Sequence, residues 1–135
     1  MKIILVSHGS YSRGLLESVQ MVLGAQENLV AYGLFPEETP AVLTEKLEKE
    51  IKETGETEIL FMTDLFHGSP FNCVVSLMRD YKFHHITGIN LPLLIEAIMN
   101  RNGGVSAEDV CDRIIEMAPG TIMNVGKYLN EEVTT

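Results

Sequence analysis

The chain has 135 residues, which is enough for one folded domain with a hydrophobic core. Hydrophobic residues make up 45% of the sequence and charged residues 21%, as is typical of soluble globular proteins. The formal net charge of -9 excludes a generally basic surface for nucleic acid. It favours encounter with a basic protein partner, although solubility alone explains it equally well. The start of the chain shows no signal peptide and the apolar runs are too short to cross a bilayer, so we expect a cytoplasmic protein.

Apolar runs and helical periodicity alternate along the chain. The apolar runs predict strands over residues 3–6, 29–35, 58–62 and 85–89. Helical periodicity and capping signals predict helices over residues 12–23, 40–53, 69–78, 90–100 and 106–117. A last strand is predicted over residues 121–125.

This alternation indicates βαβ crossovers between parallel strands. The predicted fold is therefore α/β, with an open, mainly parallel sheet of about four strands and helices on both faces. The last predicted strand follows two helices. It is expected to be an antiparallel edge strand or to pair with another subunit.

Two loops follow the first and third predicted strands and carry the residues suited to chemistry. His8 and Asp64 follow the carboxyl ends of these two strands, so they are expected within hydrogen-bond distance if the strands are neighbours. This edge of an open α/β sheet is also where ligands bind. A carboxylate on one imidazole nitrogen fixes the tautomer and leaves the other nitrogen free to attack. Ser69 is expected at a helix N-terminus, where free N–H groups favour a phosphate. Together these features indicate phosphoryl transfer through a phosphohistidine.

Each of these residues also has a simpler explanation. His8 is explained equally well as an ordinary polar residue of a loop. Asp64 is explained as a residue that ends a strand, and Ser69 as a residue that caps a helix. A hydrolase triad can also be drawn from Ser7 or Ser10 with His8 and Asp64, but the sequence has no G-x-S-x-G elbow. No P-loop or dinucleotide-binding glycine motif is present, so we expect no cofactor.

The remaining histidines and one arginine leave alternatives open. His67 is interpreted as a second proton donor near the phosphate or as a surface residue. Three roles suit Arg13: contact with a phosphate, contact with a partner protein, or a solvated position on the surface. His84 and His85 mark the start of a strand, which places them at the opposite edge of the sheet. They lack a carboxylate or thiol partner at suitable spacing, so no metal site is predicted.

Three segments resemble a known family: residues 3–9 (IILVSHG), 63–72 (TDLFHGSPFN) and 87–96 (TGINLPLLIE). They are similar to the IIA domain of the mannose family (mannose, fructose, sorbose) of the bacterial phosphoenolpyruvate:sugar phosphotransferase system. The resemblance covers essentially the whole chain, 1–135, as a single IIA domain. Because the chain ends soon after the last predicted strand, no fused IIB domain is expected.

The resemblance implies a phosphocarrier. His8 would accept a phosphoryl group from the histidine carrier protein HPr and pass it to a IIB component, while a membrane IIC/IID pair moves the sugar. Asp64 would hold the His8 ring, and no metal or other cofactor is required. The residues implied to lie by the phosphate are Ser69, Gly68, Phe71 and Gly9.

The family also suggests an assembly and three modulating positions. Its members form dimers in which a C-terminal strand can add to the partner's sheet, so a homodimer is expected, with residues 121–125 as the candidate for an exchanged strand. They commonly carry glycine where this chain has His67, so we expect this side chain to alter pH response or partner choice. Arg13 and Ser10 are the other expected modulators.

Two related functions stay open beside the sugar phosphotransferase system. A sister family supplies phosphocarrier subunits of dihydroxyacetone kinase, with the same histidine chemistry and another acceptor. A binding module that is regulated by phosphorylation is the second alternative. The TDLFHGSPFN and NLP segments favour the sugar-transport family.

Overall fold

A computed structural model describes residues 1–134, with side chains through residue 131. Strands and helices alternate through most of the chain. The strands are β1 (Lys2–His8), β2 (Leu29–Leu34), β3 (Ile59–Thr63) and β4 (His84–Thr87). The helices are α1 (Tyr11–Leu23), α2 (Pro40–Glu53), α3 (Ser69–Leu77), α4 (Leu91–Asn102), α5 (Ala107–Met117) and α6 (Val125–Thr134), with a 3-10 helix at Ala118–Thr121.

The four strands form one parallel sheet in the order β2-β1-β3-β4. β1 is one of the two inner strands, and its run Ile3–Val6 is fully buried because helices cover both faces. On one face, residues of α1, α4 and α5 pack against Ile3 and Leu5. On the other face, residues of α2 and α3 pack against Ile4 and Val6. The predicted α/β fold, with a parallel sheet and helices on both faces, is confirmed.

The chain leaves β1 toward β2 on one side and returns to β3 on the other side. The strand order therefore reverses between β1 and β3, and ligands of open α/β sheets bind at such a point. Local signals fix the helix starts on either side. Thr39 and Asn90 cap α2 and α4 by accepting hydrogen bonds from the backbone N–H groups of Val42 and Leu93.

The predicted C-terminal edge strand is wrong for this chain. Pro119 and Gly120 stop α5 and lie in the 3-10 helix, which Thr121 ends with a hydrogen bond from its hydroxyl to the Ala118 carbonyl. Asn124 then begins α6 by accepting hydrogen bonds from the N–H groups that follow it. Residues 121–125 are therefore a link between two helical segments. Among the described residues, none of the helices has the length and apolar character needed to cross a membrane.

Candidate functional site

The carboxyl ends of β1 and β3 bring His8 and Asp64 together. The last aligned pair of β1 and β3 is Val6 with Thr63, so His8 and Asp64 both lie just beyond the pairing of these two strands, while His8 still pairs with Leu34 of β2. Asp64 Oδ2 lies 2.8 Å from His8 Nδ1 and also accepts a hydrogen bond from the His8 backbone N–H at 3.0 Å. Since a carboxylate only accepts hydrogen bonds, it favours the tautomer with a proton on Nδ1 and a free lone pair on Nε2.

The His8–Asp64 pair is built from one accessible and one enclosed side chain. The His8 side chain is 48% exposed, whereas that of Asp64 is 13% exposed. Asp64 Oδ1 is buried and has no hydrogen-bond partner among the described residues. The carboxylate is therefore shielded from solvent, while the ring that it orients can meet another macromolecule.

A tight turn places the start of α3 beside the His8 ring. Gly68 is the N-cap of α3, and its N–H donates to the Leu65 carbonyl at 3.0 Å. A Cβ added at Gly68 would lie 2.7 Å from His8 Cε1 and 3.4 Å from Nε2, so only glycine allows this approach. The first turn of α3 follows at once, and its N–H groups lack acceptors one turn earlier in the helix.

The turn after β1 is shaped by close backbone contacts. Gly9 adopts a left-handed φ of 51° and donates its N–H to the Leu34 carbonyl at 2.8 Å. A Cβ at Gly33 would lie 2.1 Å from the Gly9 carbonyl oxygen. Ser7 is fully buried, and its hydroxyl accepts the Ser12 N–H at 2.7 Å. The Ser7 hydroxyl therefore has a role in the turn, which argues against its use as a nucleophile.

Three residues that the sequence analysis did not assign to the site lie at its border. Tyr11 donates its hydroxyl to the Ile89 carbonyl at 2.9 Å, and burial together with the nearby Asp64 carboxylate raises the pKa of Tyr11. Thr63 and His85 form a hydrogen bond of 2.8 Å between Oγ1 and Nε2. Both are polar residues within strands, and a buried polar group needs a partner. That is the signal in the sequence that points to this pair.

His85 does not lie at the opposite edge of the sheet, as its position at a strand start suggested. β4 has only four residues, so a side chain near its start reaches Thr63 at the end of β3. The Thr63 hydroxyl also bonds that of Thr87 at 2.8 Å. Burial lowers the pKa of His85 to about 4, which keeps the ring neutral near pH 7.

The other predicted site residues take varied places. Ser69 is the first residue of α3 and not its cap, since Gly68 takes that position without a side-chain hydrogen bond. Phe71 lies in the same first turn. Ser10 precedes α1 and makes no side-chain capping bond. Arg13 lies on an exposed face and pairs with Glu17, Nε to Oε1, at 3.3 Å.

His67 lies in the turn before Gly68, with its ring against aromatic neighbours. Its ring centroid is 3.8 Å from that of Phe66 and 5.5 Å from that of Phe71. The structure therefore places His67 next to the residue that touches His8. Among the described residues, no group of three or more His, Cys, Asp or Glu side chains is arranged to hold a metal ion.

The chain matches known proteins over most of its length. A family model described as "PTS system fructose IIA component" matches residues 2–115. The fructose-specific EIIA component of Bacillus subtilis (strain 168) is 30% identical over 135 residues, which cover 98% of this chain and 91% of that protein. The sorbose-specific EIIA component of Klebsiella pneumoniae is 34% identical over 116 residues, covering 85% and 84% of the two chains.

A solved structure supports the same relationship. The crystal structure of phosphotransferase system component EIIA from Streptococcus agalactiae aligns with a TM-score of 0.86 at 30% identity. The alignment covers 93% of this chain and 98% of that one. The likeness in sequence therefore extends to the whole arrangement of strands and helices.

Proposed function

Because the chain belongs to the mannose-family IIA components and is a phosphocarrier of the sugar phosphotransferase system, we propose that His8 is the residue that carries the phosphoryl group. The observation that carries this proposal is the contact of 2.8 Å between His8 Nδ1 and Asp64 Oδ2. It leaves Nε2 as the nucleophile on an exposed ring. The protein is then a protein-histidine phosphotransferase, with residues 1–135 acting as one IIA domain.

Asp64 has two roles in the proposed reaction. It holds the ring in the tautomer that exposes the Nε2 lone pair. Nε2 then forms a bond to phosphorus as the nitrogen–phosphorus bond on the donor histidine breaks, and that bond's electron pair returns to the donor ring. Nδ1 keeps its proton, so the phosphorylated His8 ring carries a positive charge that the Asp64 carboxylate balances. No oxidation or reduction takes place.

The first turn of α3 provides the proposed phosphate site. Gly68 lies against Cε1 and Nε2 of His8, so a phosphoryl group on Nε2 lies near the N-terminus of this helix. Free N–H groups and the positive end of the helix dipole favour an anion there. Ser69 and Phe71 supply N–H groups, whereas Pro70 has none. Gly9 at the end of β1 has open space where a side chain would lie, since a Cβ built there meets no atom within 4 Å. Positioning and electrostatics supply most of the catalysis in such transfers.

The donor and acceptor are proposed to be proteins, HPr and a IIB component, with a membrane IIC/IID pair downstream. The exposed His8 ring suits attack on a phosphohistidine at another protein's surface better than attack on an enclosed small molecule. Four residues at this edge of the sheet have exposed apolar side chains: Tyr11, Phe35, Leu65 and Phe66. Such side chains are typical of transient protein contacts. The reaction would take place in the cytoplasm.

We also propose that the protein is a homodimer. The link between the 3-10 helix and α6 leaves large apolar side chains in solvent, with Ile122 81% exposed and Met123 58% exposed. A second copy is the proposed cover for these side chains. Ile122→Asp is expected to shift the sedimentation of the protein to that of a monomer. A wild-type protein that sediments as a monomer at all concentrations would overturn the dimer.

The test of the phosphocarrier role is transfer from phosphorylated HPr. Incubation with phosphoenolpyruvate, enzyme I and HPr should add one phosphoryl group by intact mass, and the adduct should be labile in acid and stable in base. His8→Ala should abolish the adduct. His84→Ala is the matched control, because His84 lies at the other edge of the sheet, and it should be labelled as fully as wild type. Full labelling of His8→Ala would contradict the proposal.

The acceptor is identified by a second step. Purified phosphoprotein is mixed with candidate IIB components and, separately, with the dihydroxyacetone kinase assembly. Transfer to a IIB component is the expected result. Transfer to the kinase assembly alone would assign the protein to the dihydroxyacetone kinase system. A phosphoprotein that passes its label to neither acceptor would be a regulatory module.

A further inference from the structure

His67 occupies a backbone conformation that its residue type rarely adopts. Its φ is 63°, and among the described residues other than glycine only Asn28 shares a positive φ. The hydrogen bond from Gly68 N–H to the Leu65 carbonyl closes a turn with Phe66 and His67 at its centre. A positive φ at the third residue alone is the pattern of a type II turn, which favours glycine or asparagine there. Histidine adopts this conformation less readily than glycine does, so contacts of its side chain contribute to holding His67 in the turn.

Three aromatic rings surround this turn, each in contact with the other two. Phe66 and His67 lie 3.8 Å apart by ring centroids, Phe66 and Phe71 5.2 Å, and His67 and Phe71 5.5 Å. Both contacts to Phe71 are edge-to-face, which is a favoured geometry for aromatic pairs. We name Phe66, His67 and Phe71 the aromatic clamp. It joins the turn to the first turn of α3.

The clamp is also anchored to the sheet. The Phe71 ring lies 5.2 Å from that of His85, which bonds Thr63 directly before Asp64. The loop between Asp64 and Gly68 contacts the His8 ring at both ends, through Asp64 at Nδ1 and Gly68 near Nε2. Any loosening of the turn at His67 therefore changes where Gly68 and α3 lie relative to the nucleophilic nitrogen.

We propose that His67 is a positioning residue for phosphoryl transfer, whose ring holds the Leu65–Gly68 turn through the aromatic clamp and so fixes Gly68 and the start of α3 against Nε2 of His8. This inference rests on the proposed function. The role of His67 depends on the shape and stacking of its ring and not on the ring's proton.

Three substitutions separate the ring from the backbone. His67→Phe keeps a stacking ring without nitrogens, His67→Asn tolerates a left-handed φ without a ring, and His67→Ala does neither. In single-turnover transfer from phosphorylated HPr, the Asn and Ala variants should lower the maximal rate about tenfold or more, because small misplacements of reacting groups are costly. The maximal rate should change by a larger factor than the half-saturating HPr concentration, although Leu65 and Phe66 of the same turn lie on the proposed contact surface. The Phe variant should react about as fast as wild type.

Each contrary result overturns the role. A Phe variant as slow as the Ala variant would assign the effect to the ring nitrogens, and an Asn variant as fast as wild type would make the clamp unnecessary. A change confined to the half-saturating concentration would make His67 a docking residue. The double variant of His67→Asn with Phe71→Leu should be no slower than the slower single variant, since each substitution already breaks the contact between His67 and Phe71 that closes the clamp. Additive losses would contradict the clamp.

Hydrogen exchange of the Gly68 amide tests the clamp without any phosphoryl donor. In the unphosphorylated protein, the Asn and Ala variants should lose about tenfold protection at Gly68, while the Phe variant keeps it. Unchanged protection in the Asn and Ala variants would overturn the clamp whatever the transfer rates. If wild type accepts no phosphoryl group but the exchange pattern holds, the proposed function fails and the clamp stands as a structural device.

Discussion

Because the His85 ring is partly buried in its neutral form, the free energy of unfolding of the protein depends on pH. Burial lowers the pKa of this ring from 6.5 to about 4. The unfolded chain therefore takes up a proton as the pH falls below about 6.5, whereas the folded protein does so only near pH 4. The stabilisation that the neutral ring allows is fully present above pH 6.5 and is lost as the pH falls toward 4.

The structure sets the size of the loss. A pKa displacement from 6.5 to about 4 corresponds to about 3 kcal/mol. Because the ring is partly exposed at the edge strand, solvent screening reduces the expected loss to about 1.5 kcal/mol. A loss of this size is measurable against a typical folding free energy of about 5–15 kcal/mol.

The assay compares wild type with His85→Gln, which keeps an N–H donor for Thr63 and removes the titrating ring. Urea unfolding at about pH 7.5 and about pH 4.5 gives the free energy of unfolding of each protein, with the slope m checking that the unfolded states match. The difference between wild type and variant should shift by about 1.5 kcal/mol against wild type at the lower pH. All other titrating groups are shared and cancel. A difference independent of pH would refute the reasoning.

Three further substitutions test how the site is built. Asp64→Asn should slow phosphorylation by HPr about a hundredfold or more in a single-turnover assay, because the neutral amide cannot balance the phosphorylated ring. Gly33→Ala should lower the free energy of unfolding by about 1–3 kcal/mol, since its Cβ would lie 2.1 Å from the Gly9 carbonyl; Gly55→Ala, with no neighbour within 4 Å, is the control in the same urea experiment. Asn90→Ala should cost about 1 kcal/mol by thermal or urea unfolding, because it removes the cap of α4.

Local patterns were enough to predict most of the fold. The fully apolar run Ile3–Val6 is typical of a strand covered on both faces, and Thr39 with Pro40 marks the first turn of α2. The prediction for the C-terminal segment was wrong although it used the same apolar pattern that identified the other strands. Ile122, Met123 and Val125 have the β-branched and apolar character of a strand but lie in solvent, and Asn124 starts a helix there instead.

The site was predicted less completely than the fold. His8 and Asp64 follow strands that the sequence marks clearly, so their shared edge could be inferred before their contact was seen. The bond between Thr63 and His85 depends on the short length of β4, and local periodicity does not define strand ends. The aromatic clamp depends on the φ of His67, which belongs to a turn closed by Gly68.

The site in turn contributes to the register between β1 and β3. Ile3–Val6 is apolar toward both faces, so alternation of polar and apolar residues cannot specify its alignment with β3. A polar contact at the carboxyl end can, because the His8 N–H bonds the Asp64 side chain directly after β3 at 3.0 Å. At the amino end, Lys2 Nζ pairs with Glu50 of α2 at 3.0 Å, which ties β1 to a helix and not to β3.

A slip of one residue between β1 and β3 would displace Asp64 from His8 by about 3.3 Å. It would break the bonds from Asp64 Oδ2 to both the ring and the backbone N–H of His8. The carboxylate that bonds the His8 ring therefore also marks the correct alignment of the two strands that hold it. Under the proposed function, this one side chain serves both the register of the sheet and the orientation of the ring that carries the phosphoryl group, so its replacement disturbs both.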